Sequence, residues 1–190
     1  MALFGDSNGL LVSLAHNYLD LGWSVIPLQG DANPQKSKSP ALLSWRAYQR
    51  RQPSKQEITH WFVEEKHSAM AIVLGAVSGV VVLDIDLPER AEEFARSFPE
   101  LTETLTIVSG NRKLPHYYFS ITPELHVPSR RGGSVELRSN GQYVVAPGVC
   151  IKGRTWEITN DVPPRKLTEL DLRRILNFLH RPHETCEKGA

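Results

Sequence analysis

The chain is organised around the stretch Val80-Val81-Val82-Leu83-Asp84-Ile85-Asp86, an apolar, β-rich run that ends in two carboxylates. Successive side chains of a strand point to opposite faces, so Asp84 and Asp86 are predicted to share one face. Their Cα atoms would lie about 6.5 Å apart, close enough for the carboxylates to bridge two cations held ~3.5–4 Å from each other. Oxygen ligands of this kind suit Mg²⁺ or Mn²⁺.

A simpler interpretation of the same pair is a strand that has reached the surface, with both carboxylates solvated and Asp86 capping the helix after Pro88. The strand context favours the metal site, because one face of a valine-rich strand is a costly place for two like charges unless a cation compensates them.

Hydrophobic periodicity predicts a mixed α and β chain around this strand. Apolar residues at helical spacing predict a helix between Ser7 and Gly22, and Ser54-x-x-Glu57 has the spacing of a capping box at the start of a second helix. A third helix follows Pro88, and a final one is predicted near Thr168–Leu179. The predicted strands are Trp23–Leu28, Met70–Leu74, Val80–Asp86, Leu105–Ser109, His116–Ser120, Ser134–Arg138, Gln142–Ala146 and Thr155–Ile158.

The connections between these elements carry two further expectations. Gly75–Gly79 separates the strands Met70–Leu74 and Val80–Asp86, which favours a β-hairpin with its turn in the glycine-flanked segment. Gln29–Pro40 is polar and rich in Pro, Ser and Lys, so it is predicted to be a loop.

Composition bounds the class of protein. With 190 residues and 41% hydrophobic content, the chain can form one compact domain with a substantial core. Twenty-two Lys and Arg against 21 Asp and Glu leave a net charge of +1, so a nucleic-acid site must come from local clustering. The two cysteines form no Cys-x-x-Cys pair, and no secretory or membrane-spanning segment is visible. We expect a soluble, cytoplasmic protein with a catalytic domain at 1–179 and a polar tail or linker at 180–190, from which further domains would continue if the chain is part of a longer protein.

Glu136 is the natural third acidic ligand. It lies in Gly132-Gly133-Ser134-Val135-Glu136-Leu137-Arg138, where alternation puts Glu136 and Arg138 on one face of a strand. The alternative is an ordinary half-exposed strand with a cross-strand ion pair.

Candidate phosphate contacts lie elsewhere in the chain. His116 follows Ser109-Gly110-Asn111-Arg112-Lys113-Leu114-Pro115, a basic, glycine-bearing segment able to present N–H groups and cations to a triphosphate. Lys38, Ser39 and Arg138 are further candidates. A structural histidine and solvated surface side chains explain the same residues equally simply.

The order of these motifs carries a resemblance to a known family. Asp84-Ile85-Asp86, then Ser109-Gly110 leading to His116, then Glu136-Leu137-Arg138-Ser139-Asn140-Gly141-Gln142-Tyr143-Val144-Val145-Ala146-Pro147 resemble the bifunctional DNA primase/polymerase (prim-pol) family. This family belongs to the archaeo-eukaryotic primase superfamily and occurs at the N-terminus of plasmid, phage and related replication proteins. The chain departs from its pattern in having Glu136 where an aspartate is frequent, and in a longer, less glycine-rich segment between Gly110 and His116.

The resemblance implies an α+β fold with an archaeo-eukaryotic primase-like catalytic core, in which an RRM-like antiparallel sheet half packs with an N-terminal α/β half. It implies that Asp84, Asp86 and Glu136 are catalytic and bind two Mg²⁺ or Mn²⁺ ions. His116, Arg138, Ser109, Gly110, Lys38 and Ser39 would then bind the incoming nucleotide.

The function that follows is template-directed nucleotidyl transfer: primase/polymerase activity in replication of a plasmid, phage or related element, by two-metal-ion catalysis. The partners would be single-stranded DNA template and primer, dNTPs or NTPs, and a helicase domain or protein. Two rivals remain, a metal-dependent nuclease or phosphodiesterase that uses the same carboxylates, and a catalytically silent nucleic-acid-binding module. Template and primer would follow two basic clusters, which are otherwise solvated faces. These clusters are Arg46, Arg50, Arg51 and Lys55, and Arg130 with Arg131.

Overall fold

A computed structural model describes residues 7–109 and 114–181 of the chain. Helices and antiparallel sheets are both present, and the strands β4 to β11 follow one another without an intervening helix, which is compatible with an α+β fold. The helices are α1 (Ser7–Asp20), α2 (Lys55–Thr59), α3 (Pro88–Ser97), α4 (Pro99–Thr102) and α5 (Glu169–His180). The strands are β1 (Ser24–Leu28), β2 (Ala69–Val73), β3 (Val80–Ile85), β4 (Thr106–Ser109), β5 (Pro115–Ser120), β6 (Arg130–Gly132), β7 (Val135–Arg138), β8 (Tyr143–Val145), β9 (Cys150–Ile151), β10 (Arg154–Asn160) and β11 (Arg165–Lys166).

The helix starts follow their predicted chemistry. The capping box before α2 is confirmed: the Ser54 hydroxyl accepts from the Glu57 N–H, and the Glu57 carboxylate accepts from the Ser54 N–H. A single π-helical turn, His60–Glu64, continues α2. A second capping box, made by Thr168 and Asp171, begins α5.

The strands form two sheets. The small sheet has the order β1-β2-β8, and the large one the order β6-β7-β3-β5-β4-β10-β9, with every neighbouring pair antiparallel. The short β11 pairs in parallel with the end of β5.

The two faces of the large sheet bury two different cores. Alternate residues of β3, such as Leu83 and Ile85, pack with α3 and α5 around the rings of Phe94 and Phe178. On the opposite face Val82 joins the core of the small sheet and α1. Period-two alternation along β3 therefore covers one face with helices and turns the other towards the small sheet.

The predicted hairpin between the second and third strands is wrong. β2 pairs with β1 and β8, whereas β3 pairs with β5 and β7, and only a single bridge joins Gly75 to Val80. The glycine-flanked segment carries the chain from one sheet to the other. Both strands are buried on both faces, so each can be central in its own sheet, which a local hairpin pattern does not reveal.

A second crossover, Ser139–Gln142, carries the chain back from β7 to β8. The two crossovers touch, because the Ala76 N–H donates to Asn140 Oδ1 at 2.9 Å. Gly75, at a φ of +91°, lies so close that a Cβ there would fall 2.1 Å from the same oxygen.

In the part of the chain that the structure describes, no helix is both long enough and apolar enough to cross a membrane.

Candidate active site

Four polar side chains lie in one row across the large sheet. Glu136 of β7 is directly opposite Asp84 of β3, and Asp84 is directly opposite His116 of β5. On the other side of Glu136 the row continues to Arg131 of β6. Directly opposed residues of antiparallel strands project from the same face, so the three sequence motifs meet at one place.

Asp84 is the centre of this row. Its carboxylate lies 3.2 Å from His116 Nε2 through one oxygen and 3.0 Å from a terminal nitrogen of Arg138 through the other. The residue is only 6% exposed, so this charge depends on its partners rather than on water.

Arg138 joins the two carboxylates of the row. The guanidinium nitrogen that contacts Asp84 also lies 2.8 Å from Glu136 Oε2. The other Glu136 oxygen accepts from Gln142 Nε2 at 3.3 Å. The cross-strand ion pair is therefore present, and it involves the same residues as the predicted acidic site.

Asp86 follows β3 on the same face, as the alternation predicts, and its side chain is exposed. Its N–H donates to the Ser134 carbonyl, which fixes the backbone at this point. The three carboxylates are hard oxygen donors on one face, and this donor chemistry fits Mg²⁺ or Mn²⁺. Among residues 7–109 and 114–181, however, no three His, Cys, Asp or Glu side chains converge closely enough to hold a metal ion.

Two adjoining cavities open beside the row and share one wall. The first, of about 400 Å³, is the more cationic, and the second, of about 330 Å³, is bordered by β8. The shared wall is formed by Lys38, Asp84, His116, Arg138 and Trp156. The first cavity adds Ser37, Asp86, Ser109, Ile151, Lys152 and Arg154, and the second adds Glu136, Gly141, Gln142, Tyr143, Val144 and Val145.

Two basic side chains of the shared wall, Lys38 and His116, are partly desolvated. Burial lowers the pKa of Lys38, whose Nζ lies 4.9 Å from the centre of the Trp156 ring, although the Asp84 charge acts in the opposite direction. Burial likewise lowers the pKa of His116, against the opposing effect of Asp84. The lowered pKa favours the neutral imidazole, and a neutral ring can turn an N–H at Nε2 towards Asp84 while Nδ1 keeps a lone pair.

Unmet hydrogen-bonding capacity also clusters here. His116 Nδ1, Arg138 Nε and Gln142 Oε1 are buried and find no partner among the described residues. Buried polar atoms are normally paired, so a ligand or water in these cavities is needed to satisfy them.

Some of the residues predicted to contact phosphate line the cavities and others do not. Lys38, His116 and Arg138 line both cavities, and Ser109 lines the cationic one. Ser39 is not among the lining residues, and Ser37 takes that place. Gly110 lies outside the described residues.

The two predicted basic clusters approach the cleft differently. Arg131 adjoins Glu136 in the row and is exposed, as is Arg130. The other cluster follows Trp45, whose ring packs edge-on against Tyr143 at 5.3 Å. All four of its members, Arg46, Arg50, Arg51 and Lys55, are exposed, and Arg51 is in addition held by both oxygens of Glu57.

Sequence reasoning missed the β9–β10 hairpin, which brings Lys152, Arg154 and Trp156 to the cleft. Lys152 and Gly153 form its two-residue turn, both at positive φ, which is typical of a tight hairpin. The Lys152 N–H donates to Asp31, so the turn is tied to the loop that carries Lys38. A Lys-Gly pair between β-rich residues was the available signal.

The motifs that carry Asp84, His116 and Glu136 meet at one site. Comparison with known protein families leads to the same family as the order of these motifs. The family described as bifunctional DNA primase/polymerase, N-terminal, matches residues 15–171. The chain belongs to this family. The bifunctional DNA primase/polymerase match spans every residue of the row and of both cavities, and the resemblance drawn from the motifs is confirmed. Comparison with curated proteins gives no match to this chain.

Membership of the bifunctional DNA primase/polymerase family implies a nucleotidyltransferase-type activity in DNA replication, with DNA and nucleotides as substrates.

Proposed function

We propose that this domain performs template-directed nucleotidyl transfer with Asp84, Asp86 and Glu136 as the ligands of two Mg²⁺ or Mn²⁺ ions. The observation that carries the proposal is the cross-strand row, in which Asp84 lies between Glu136 and His116 at the edge of a cationic cleft. A carboxylate pair beside a cavity lined by cations matches the needs of phosphoryl transfer, where charge must be neutralised on the transferred and leaving groups.

The cavities suggest how a nucleotide lies against the row. The triphosphate belongs in the cationic cavity, where Lys38, Lys152 and Arg154 supply positive charge and Ser37 and Ser109 supply hydroxyls. The second cavity, bordered by Tyr143 and Val145, is the less charged and suits the sugar and base. When bound, the divalent ions would activate the attacking 3′-hydroxyl and neutralise the leaving pyrophosphate.

The proposal includes a fold and a biological setting. The large antiparallel sheet corresponds to the RRM-like half of an archaeo-eukaryotic primase core, and α1 with the small sheet corresponds to its N-terminal half. The setting is replication of a plasmid, phage or related element, with single-stranded template, primer, dNTPs or NTPs, and a helicase as partners. Template and primer follow Arg46, Arg50, Lys55 and the β6 arginines.

Nucleotide incorporation tests the proposal. Labelled nucleotide is supplied to the wild type with Mg²⁺ or Mn²⁺, on template with and without primer. Asp84→Asn, Asp86→Ala and Glu136→Gln should each lower incorporation about a hundredfold or more, because each removes one charged ligand. Asp20→Ala, at the exposed end of α1, is the matched control and should be unaffected.

Equal incorporation by the wild type and Asp86→Ala would contradict the proposed ligand set. Metal-dependent shortening of the DNA without incorporation would identify a nuclease. DNA binding without synthesis, at any supply of metal and nucleotide, would identify a silent binding module.

A further inference from the structure

Arg138 lies where a cation between Asp84 and Glu136 would lie. One of its terminal nitrogens is 3.0 Å from Asp84 and 2.8 Å from Glu136, so a single guanidinium NH2 group lies between the two carboxylates. A guanidinium and a divalent cation need the same oxygen lone pairs, and both cannot occupy the pair at once.

The contacts of the Arg138 side chain leave it free to adopt a second conformation. Its backbone lies opposite Val82, one row away from Asp84, so the side chain reaches along the sheet to touch the carboxylates. Only one of its nitrogens makes these ion pairs, and its Nε finds no partner among the described residues. The side chain is still 28% exposed, against 8% for Asp84, and it lines both cavities. It is therefore held at one point and borders the space that a phosphate would fill.

We propose, resting on the proposed function, that Arg138 is a positioning residue that holds the carboxylate pair until a divalent cation displaces it, and that it then lies against the anionic ligand in the cleft. Its departure exposes the carboxylate oxygens, and its new position adds positive charge beside the phosphates. The affinity of the site for a cation is accordingly set by the strength with which Arg138 competes for the two carboxylates. Because binding free energies are linked, an anionic ligand that attracts Arg138 also strengthens cation binding.

Direct measurement of Mn²⁺ binding to the full chain, by electron paramagnetic resonance of the free ion, tests this without an activity assay. Arg138→Gln should bind Mn²⁺ about tenfold more tightly than the wild type, since one charge-assisted contact no longer has to be broken. Arg138→Lys, which keeps the charge but lacks the planar fork, should lie between them. Arg96→Gln is the matched control, because Arg96 is 71% exposed on α3 and lines neither cavity, so its affinity should equal that of the wild type.

Asp84→Asn separates the two proposals. If Asp84→Asn weakens Mn²⁺ binding while Arg138→Gln, shown to be folded by circular dichroism, binds no more tightly than the wild type, the competition is refuted and the metal site stands. If Asp84→Asn leaves Mn²⁺ binding unchanged, the proposed ligands are wrong and the role of Arg138 is refuted with them. Should Arg138→Gln not fold, Arg138→Lys decides, and an affinity equal to or weaker than wild type overturns the inference.

Discussion

Arg90 is the buried cation on which the helical side of the large sheet depends. Its side chain is 3% exposed, donates to the Phe178 carbonyl at 2.7 Å and places its guanidinium 4.0 Å from the centre of the Phe178 ring. Arg90→Met keeps most of the apolar stem but removes the charged donor and leaves that carbonyl with the Arg181 N–H alone, at 3.2 Å. Loss of a hydrogen bond from a charged group costs about 1–3 kcal/mol. Loss of the desolvated cation–π contact adds roughly 1–2 kcal/mol, offset in part by packing of the methionine on the ring.

We therefore expect Arg90→Met to lower the free energy of unfolding by about 2–3 kcal/mol, and the Tm by roughly 5–10 °C for a chain of this size. Thermal and urea unfolding of the purified domain measure both. The control is Arg96→Met on the same helix, where the arginine is 71% exposed and pairs with Glu92 at 3.5 Å. That change should stay within about 0.5 kcal/mol. If Arg90→Met is as stable as Arg96→Met, a hydrophobic side chain fully replaces the buried cation, and the reasoning fails.

Three further outcomes follow from contacts described above. Lys152→Ser and Arg154→Ser should each raise the KM for nucleotide about tenfold with a smaller effect on kcat, measured by primer-extension kinetics, because each removes a cation from the cavity wall. Gly132→Ala should lower the urea midpoint by the equivalent of about 1–3 kcal/mol, since its Cβ would lie 2.1 Å from a backbone oxygen near the end of α5. Hydrogen bonds from Arg51 hold the pKa of Glu57 at about 2, below its ordinary 4.5. This stabilisation is complete above the ordinary value and is lost as the pH falls towards 2, so between pH 6 and pH 3 the wild type should lose about 1 kcal/mol more than Glu57→Gln, after allowance for exposure.

Alternation and capping made much of the site predictable. Period-two reasoning put Asp84 with Asp86, and Glu136 with Arg138, on shared faces, and the strand register agrees. Helical spacing and the capping box located α1 and α2 to within a few residues. These features depend on side chains close in sequence, and local backbone geometry decides them.

Features that depend on which strands become neighbours were not predictable in this way. The hairpin expected across Gly75–Gly79 is absent because β2 and β3 each find longer-range partners. Lys152 and Arg154 reach the cleft on a hairpin whose strand β10 pairs with β4 and whose turn is tied to Asp31, 121 residues away in sequence. The residue pattern within one segment does not show which distant segment will pack against it. The order of several motifs along the chain, compared with a known family, does show which segments meet.

The hydrogen bond between the two crossovers, from Ala76 to Asn140, bears on the width of the cleft. One wall belongs to strands of the large sheet and the other includes β8 of the small sheet, so the gap between them is a relation between separate layers. The hydrogen bond from Ala76 to Asn140 ties together the two segments that cross between those layers. The hydrogen bond therefore helps to fix the distance between the two walls, although Ala76 and Asn140 line neither cavity. The width of the space beside the row depends in this way on residues outside it.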